Sequence, residues 1–365
     1  MRIAIDVRSL LDDQPGGVKT YTTEIVRALG RVAPEHEYLL FYNSAKVVRL
    51  PDLGGGMVTR GFRYPNRIFN VSQWALSWPK WDRLIEADCY FAPALRLVPL
   101  GLNKPLVATV HDLSFAYFPE FYSWRRRMWH RMMRPGALLL EADHLIAVSR
   151  ATARDVTDYY GVAESKVSVV YSGIAGADVD HRAVRKKYGL PERYLLFLGT
   201  IEPRKNVPSI IKAFDHIAAG VEQDLVVAGT KGWLTKEVDE AISVSRFRNR
   251  ICCPGLIDEV DKRAVMAGAD LFVYPSFYEG FGFPPLESLI AGTPVITSLN
   301  SSLPEVVGDW ATMVNPYDVG ELAYVMKEML LNPPVVEQKD RQAILEKYTW
   351  EQAARETLKV LEGVV

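Results

Sequence analysis

Short runs of apolar, mostly β-branched residues alternate along this chain with longer stretches of helical pattern, and no other feature restricts its fold as much. One series of runs occupies residues 3–7, 38–41, 106–110, 145–148 and 167–170; a second occupies 194–198, 224–228, 251–253, 271–274 and 294–297. Each run is apolar nearly throughout rather than at alternate positions, as a strand covered on both faces requires. Between them, residues 18–29, 149–160, 207–219, 233–245 and 283–291 read as helices. Strand, helix, strand repetition predicts α/β architecture with parallel sheets and right-handed crossovers. The two series are parted by residues 172–193, where Gly173, Gly176, Gly189 and Pro191 surround a charged run. That stretch reads as a linker with a short surface helix. We therefore expect two doubly wound domains, residues 1–173 and 174–349. The segment 350–365 carries Trp350, Ala354, Leu358, Leu361 and Val365 at steps of three and four, an amphipathic helix that can pack on either domain.

A length of 365 residues suits two domains. Lys plus Arg is 43 against 44 for Asp plus Glu, so no chain-wide footprint for nucleic acid or membrane exists, and no nucleic-acid partner is expected. Three cysteines, with Cys252 next to Cys253 and Cys89 remote, fit neither a disulfide scaffold nor a zinc site; Cys89 reads as core. The opening residues, Met1 to Asp6, lack the apolar core of an export signal, and no run approaches the roughly 18–20 apolar residues of a membrane span. A cytoplasmic protein is expected, with room for peripheral contact at the inner face of the cell membrane.

In open parallel sheets ligands bind beyond the carboxyl ends of the strands, often at a helix N-terminus. Three such places stand out. After the first strand, Pro15-Gly16-Gly17 precedes a helix, either as a plain tight turn or as a backbone that admits a ligand. After residues 194–198 comes Gly199-Thr200-Ile201-Glu202-Pro203-Arg204-Lys205-Asn206. Cations where a helix begins oppose its macrodipole, so Arg204 and Lys205 read either as a solvated pair or as facing an anion such as a diphosphate. After residues 271–274, Glu279-Gly280-Phe281-Gly282-Phe283-Pro284 leads into a helix that carries Glu287. Carboxylates there suit the hydroxyls of a polyol. Helix capping accounts for Glu287 but not for the Gly-Phe-Gly turn beside Glu279. Neither G-x-G-x-x-G after a strand nor G-x-x-x-x-G-K-[ST] occurs, which disfavours nicotinamide and P-loop chemistry. Asp178-Val179-Asp180 lies in the linker, and no metal role is assigned to it.

Taken together these residues resemble the retaining nucleotide-sugar glycosyltransferases of family 4, which have the GT-B fold of two Rossmann-like domains facing a cleft. Glu279 and Glu287 match the family's E-x7-E element. Gly199 to Asn206 resembles its phosphate turn, and Gly16-Gly17, His111-Asp112 and Ile146 to Ser149 fall in the same order. The resemblance implies that Gly16 and Gly17 meet the distal phosphate or sugar. It implies that Gly199, Thr200, Arg204 and Lys205 hold the diphosphate. Glu279, with the amides of Gly280, Phe281 and Gly282, would take the donor sugar. Glu287 would bind the ribose, residues 255–257 would line the base pocket, and His111 would donate to a sugar hydroxyl. It implies catalytic duties for Glu279, His111, Arg204 and Lys205, no cofactor and no metal. It also implies that residues 350–365 cross back onto the N-terminal domain. Where many relatives carry a basic residue after the glycine of the phosphate turn, this chain has Thr200.

The expected reaction moves a hexose from a nucleoside-diphosphate sugar, GDP-mannose ahead of UDP- or dTDP-sugars, to a glycan or lipid-diphosphate-linked acceptor of a cell-surface polysaccharide. An epimerase or glycosyl-phosphate synthase of the same fold, and a non-catalytic sugar-nucleotide sensor, are the alternatives. On the acceptor side, residues 63–67 and 92–99 are candidate loops. Residues 121–140 hold no Asp or Glu but carry Arg125, Arg126, Arg127, Arg131 and Arg134 among Trp124, Met128, Trp129, Met132 and Met133. This stretch reads either as contact with an anionic membrane or a lipid-diphosphate acceptor, or as an ordinary helix whose apolar face is core and whose arginines are solvated.

Overall fold

The apolar runs become strands in the structure, a computed structural model that describes residues 1–12, 16–101, 104–176 and 182–365. The chain divides into two compact units. The first comprises Met1–Leu113, Trp124–Gly173 and Tyr348–Val365; the second comprises Ser114–Ser123 and Ile174–Lys347.

The first unit is built on a seven-stranded sheet of β1 (Arg2–Asp6), β2 (Glu37–Asn43), β3 (Met57–Phe62), β4 (Cys89–Ala92), β5 (Leu106–Val110), β6 (His144–Ala147) and β7 (Val167–Val169), in the order β3-β2-β1-β4-β5-β6-β7. The second is built on six strands, β8 (Tyr194–Leu198), β9 (Asp224–Ala228), β10 (Ile251–Gly255), β11 (Leu271–Tyr274), β12 (Val295–Ser298) and β13 (Thr312–Val314), in the order β10-β9-β8-β11-β12-β13. Pairing is parallel in both sheets. Strand order turns back beside the first strand of each, between β1 and β4 and between β8 and β11. At such a switch point, adjacent loops leave the carboxyl edge with a gap between them.

Three strands, β3, β4 and β13, lie outside the predicted runs. β3 is an edge strand and mostly exposed, so it lacks the continuous apolar character of the centre. β4 is wholly buried but only four residues long, with Cys89 in the core as expected. β13 has three residues at the opposite edge of its sheet.

The helices that matter below are α1 (Gly17–Val32), α2 (Asn66–Leu76), α3 (Trp124–Met133), α4 (Arg150–Tyr160), α5 (Val207–Ile217), α6 (Phe283–Ile290) and α7 (Trp350–Gly363). The α4 helix starts where Ser149 accepts a hydrogen bond from the Thr152 amide, a side-chain N-cap. α7 is capped in the same way by Thr349 and packs along α1 in the first unit. Trp350 meets the Tyr21 ring edge-on at 5.8 Å, and Arg31 pairs with Glu351 at 2.9 Å. The linker helix forms at Arg182–Tyr188. Pro15, the Asp178-Val179-Asp180 triplet and His181 lie outside the described residues, as do the side chains of Asn66 and Arg67.

Residues Ser114–Ser123 belong to the second unit although their sequence neighbours on both sides belong to the first. Their aromatic side chains account for this. Tyr117 and Phe118 pack on the Tyr278 ring at 6.1 and 5.6 Å. Phe121 stacks on Phe277 at 5.6 Å, and Tyr122 stacks on Trp233 at 5.7 Å.

Candidate functional site

Because β8 and β11 are neighbours, with Leu195 opposite Leu271, the loops that follow them lie side by side. The loop after β8 first runs along the end of β9: the Gly199 amide donates to Ala228 O at 3.1 Å and the Ile201 amide to Thr230 O at 2.9 Å. Gly229 stands against this path with φ +135°, and a Cβ there would lie 1.8 Å from Gly199 O, so only glycine fits. Pro203–Lys205 then make a single 3-10 turn and Asn206 turns the chain through a left-handed conformation. α5 begins only at Val207. Arg204 and Lys205 therefore precede the helix rather than occupy its first turn.

These two cations meet Glu279 of the β11 loop. Arg204 Nη1 donates to Glu279 Oε2 at 2.9 Å, and Lys205 Nζ donates to Glu279 Oε1 at 2.5 Å. The Arg204 guanidinium also pairs with Glu202 at 2.8 Å, and Lys205 donates to the Tyr274 hydroxyl at 2.6 Å. Backbone groups close the arrangement: Phe277 N donates to Arg204 O, and Arg204 Nη1 donates to Tyr278 O, both at 2.9 Å. Glu202, Lys205 and Glu279 are buried. Burial pushes the Glu279 carboxyl up, but Arg204 and Lys205 outweigh it and hold the group down to about 2. Burial and then Arg204 pull the Lys205 ammonium below its ordinary value, against Glu279 and Glu202. Burial pushes the Tyr274 hydroxyl well up, so it stays protonated. The reading of Arg204 and Lys205 as a solvated pair fails. The anions they face are supplied by the protein itself.

The Glu279 loop is fixed from its far side by the turn after β12. Its amide donates to Ser301 Oγ at 2.8 Å, and Ser302 Oγ donates to Glu279 O at 2.9 Å and to Phe281 O at 3.3 Å. Gly280 and Phe281 are buried, and Gly282, with φ +97°, turns the chain into α6. Glu287 sits in the second turn of α6, half-buried. Burial raises its pKa, and Lys262 opposes that. It makes no hydrogen bond or ion pair with Arg204, Lys205 or Glu279, so the two glutamates of the spacing answer to different surroundings. Thr200 is half-buried beside Gly199. At the end of β10, Gly255 has φ +81°, Leu256 is exposed and Ile257 is buried.

In the first unit, Gly16 is the extended residue before α1 and Gly17 its first residue, with no side chain capping the helix among the described residues. His111 follows β5 directly. Its Nε2 lies 2.7 Å from Pro93 O and its ring meets Tyr21 edge-on at 4.8 Å. A carbonyl only accepts, so Nε2 carries the proton. Burial depresses the imidazole pKa below its ordinary value and keeps the ring neutral, which leaves Nδ1 as an acceptor. The imidazole proton is thus engaged by Pro93 O. Arg125, Arg126, Arg127 and Trp129 lie on α3 and are exposed; none of the ten residues of that helix is buried. The reading of its apolar face as core is overturned.

Sequence reasoning missed Glu202, Tyr274, Ser301 and Ser302. The last two had a usable signal, since they follow a strand next to β11. Glu202 lies inside the turn of residues 199–206 and Tyr274 ends the strand before Glu279, but neither carries a pattern of its own.

The chain is similar to known proteins along most of its length. Residues 180–361 match the family of glycosyl transferases group 1, and residues 15–175 match glycosyltransferase family 4. The serotype-specific mannosyltransferase WbdA of Escherichia coli is 30% identical over 263 residues, which cover 68% of this chain and 31% of WbdA. This chain thus spans less than a third of the length of that relative. The O-antigen chain mannosyltransferase B of Escherichia coli is 25% identical over 335 residues, covering 86% of this chain and 87% of that protein. Among solved structures, sucrose-phosphate synthase from Thermosynechococcus elongatus superposes with a TM-score of 0.79 at 18% identity, covering 100% of this chain and 98% of the other, a likeness of fold. Fold, motifs and matches converge: the chain belongs to the glycosyltransferases of family 4, with the GT-B fold.

Proposed function

We propose that this glycosyltransferase moves a hexose, with retention of configuration, from a nucleoside-diphosphate sugar to a glycan or lipid-linked acceptor in cell-surface polysaccharide synthesis, at the cytoplasmic face of the membrane. GDP-mannose is the donor we favour, in keeping with the two mannosyltransferases to which the chain is similar. The observation that carries the reading is the convergence of Arg204, Lys205 and Glu279 at the switch point of the second sheet. As the glycosyl bond breaks, negative charge grows on the departing phosphate oxygen. Fixed donors aimed at that charge are the main source of acceleration. Arg204 and Lys205 supply them without a metal, and the donor's diphosphate takes the place of Glu279 on these cations. The released Glu279 oxygens then accept from sugar hydroxyls. Glu287 takes the ribose, Gly16 and Gly17 admit the phosphate end of the donor, and His111 Nδ1 accepts from a sugar hydroxyl. The proton of the acceptor hydroxyl passes to the leaving phosphate on the same face of the sugar. The exposed arginines of α3 meet the acceptor's diphosphate or an anionic membrane.

A panel of nucleoside diphosphates in a thermal-shift assay tests the donor. A ligand at about a hundred times its Kd stabilises by about 2.7 kcal/mol, which is readily seen. GDP is expected to raise the Tm most, and GDP-mannose is expected to release GDP when acceptor is added. A larger rise with UDP or dTDP would remove the assignment of donor. No shift with any of them would remove the proposal.

A further inference from the structure

Each cation of the site has one partner that a donor would displace and another that stays. Without Glu279, Arg204 keeps the Glu202 carboxylate at 2.8 Å and the Tyr278 carbonyl at 2.9 Å. Lys205 has less to keep. Among the described residues its ammonium meets two side chains, the Glu279 carboxylate and the Tyr274 hydroxyl at 2.6 Å. Nζ stands 5.0 Å from the centre of the Tyr274 ring, so it sits at the phenolic end and not over the face. The hydroxyl is thus the contact left to Lys205 once Glu279 turns to a sugar.

Tyr274 occupies a fixed place. It ends β11 in register with Thr297 of β12 and is 1% exposed. Its ring stacks on Phe272 of its own strand and on Phe197 of β8, both at 5.8 Å. Its carbonyl accepts from Thr297 Oγ1 at 3.2 Å. Lys205, by contrast, carries its charge on a flexible four-carbon stem. The chemistry of the phenol matters as much as its rigidity. It accepts from an ammonium without adding negative charge, so Lys205 keeps its whole charge for a diphosphate. A carboxylate in this place would neutralise the lysine, and a plain phenyl ring would leave it unheld. Burial, and after it the charge of Glu279, keep the phenolic proton in place.

We propose that Tyr274 is a positioning residue for the transfer reaction: its hydroxyl holds the Lys205 ammonium on the departing phosphate after the donor has displaced Glu279. This rests on the transferase reading above and adds to it a group that acts through Lys205 alone. Misplacing a reacting or stabilising group by about 1 Å can cost on the order of a hundredfold in rate, so a hydroxyl that touches neither phosphate nor sugar still governs turnover.

The test is a double-mutant cycle on the full chain, with wild type, Tyr274→Phe, Lys205→Ala and the double variant. GDP-mannose, UDP-glucose and dTDP-glucose are offered, and nucleotide release to water is followed with the one that the wild type cleaves fastest. Tyr274→Phe keeps the ring and its stacking. Its release rate is expected to fall at least about tenfold, while its affinity for the nucleoside diphosphate at neutral pH stays within about threefold. Added to Lys205→Ala, the same change is expected to cost nothing further. Calorimetry from neutral to alkaline pH gives a second readout. The Lys205 ammonium, faced by Arg204, Glu279 and Glu202, loses an acceptor that favours its charged form, so affinity in Tyr274→Phe should begin to weaken at a lower pH. Thr297→Val loosens the Tyr274 backbone and spares the hydroxyl; it should leave that pH limb where it is. Wild-type turnover and pH profile in Tyr274→Phe overturn the proposal. So does an equal loss with and without Lys205, which would make Tyr274 a packing residue. A measurement on the wild type needs no folded variant at Tyr274: in lysine-directed NMR the Lys205 ammonium should stay rigid when the nucleoside diphosphate binds, and one that becomes mobile overturns the proposal. A wild type without a thermal shift from any nucleoside diphosphate fails the transferase reading itself. One that binds and cleaves its donor while Tyr274→Phe is indifferent fails this proposal alone.

Discussion

Glu279 is ionised inside the protein because two cations outbid its burial. Its pKa of about 2 lies below the ordinary 4.5. A carboxylate with a depressed folded-state pKa contributes stability that is fully present above the unfolded value and lost as pH falls through the folded one. The window therefore runs from about pH 4.5 down to about 2, and the shift corresponds to about 3 kcal/mol. Urea melts across that range should show the wild type losing about that much more than Glu279→Gln, which is already destabilised at neutral pH because Arg204 and Lys205 are left without their shared partner. Equal slopes for the two proteins would refute the ion-pair account. At this scale the sequence was informative about residue types and silent about partners. Arg204, Lys205 and Glu279 were visible as strand-end charges. That they neutralise one another across 74 and 75 positions of sequence depends on β8 lying next to β11, a tertiary fact. His111 shows the same limit: its place after β5 was legible, but its tautomer is set by Pro93.

Elements were legible where burial made them uniform. Central strands, covered on both faces, announce themselves as apolar runs; β3 and β13 are edges, and the pattern that reveals a strand fades with its burial. Helix starts were clear where chemistry forces them, as at Ser149 and at the turn into α6. The core alternative for the apolar face of α3 failed because an apolar stripe does not say what covers it. Gly282 carries a prediction. Its φ of +97° is disfavoured for any L-residue, and a Cβ would lie 2.6 Å from Leu303 Cδ2. The left-handed backbone alone costs about 1–2 kcal/mol, and displacing Leu303 adds to it. Gly282→Ala should lower the urea midpoint by at least that equivalent with an unchanged m-value. A midpoint equal to the wild type would show that the turn into α6 is more tolerant than its geometry says.

At the scale of the molecule, the two-unit α/β plan followed from the alternation of runs, whereas the chain's route between units did not. Nothing in the periodicity of residues 114–123 says that their rings are claimed by Phe277, Tyr278 and Trp233, because stacking partners are chosen in three dimensions. The final helix had an apolar face that could suit either unit; Tyr21, Arg31 and Trp350 decide for the first. α7 buries Trp350, Ala353, Ala354, Thr357 and Leu361. Ending the chain after Lys347 should cost on the order of 5 kcal/mol, from Trp350 and Leu361 together with the alanines. Calorimetry should show the first unit melting early while the second keeps its transition. A first unit that melts normally without α7 would contradict the packing described.

That route also sets an order of assembly during synthesis. A nascent chain that has left the ribosome as far as residue 347 already holds every residue of the second unit, while the first still waits for its closing helix. Domains usually complete from the amino end onward. Here the half that starts first is closed after the second, and Tyr21 stays without its Trp350 neighbour until residue 350 has emerged.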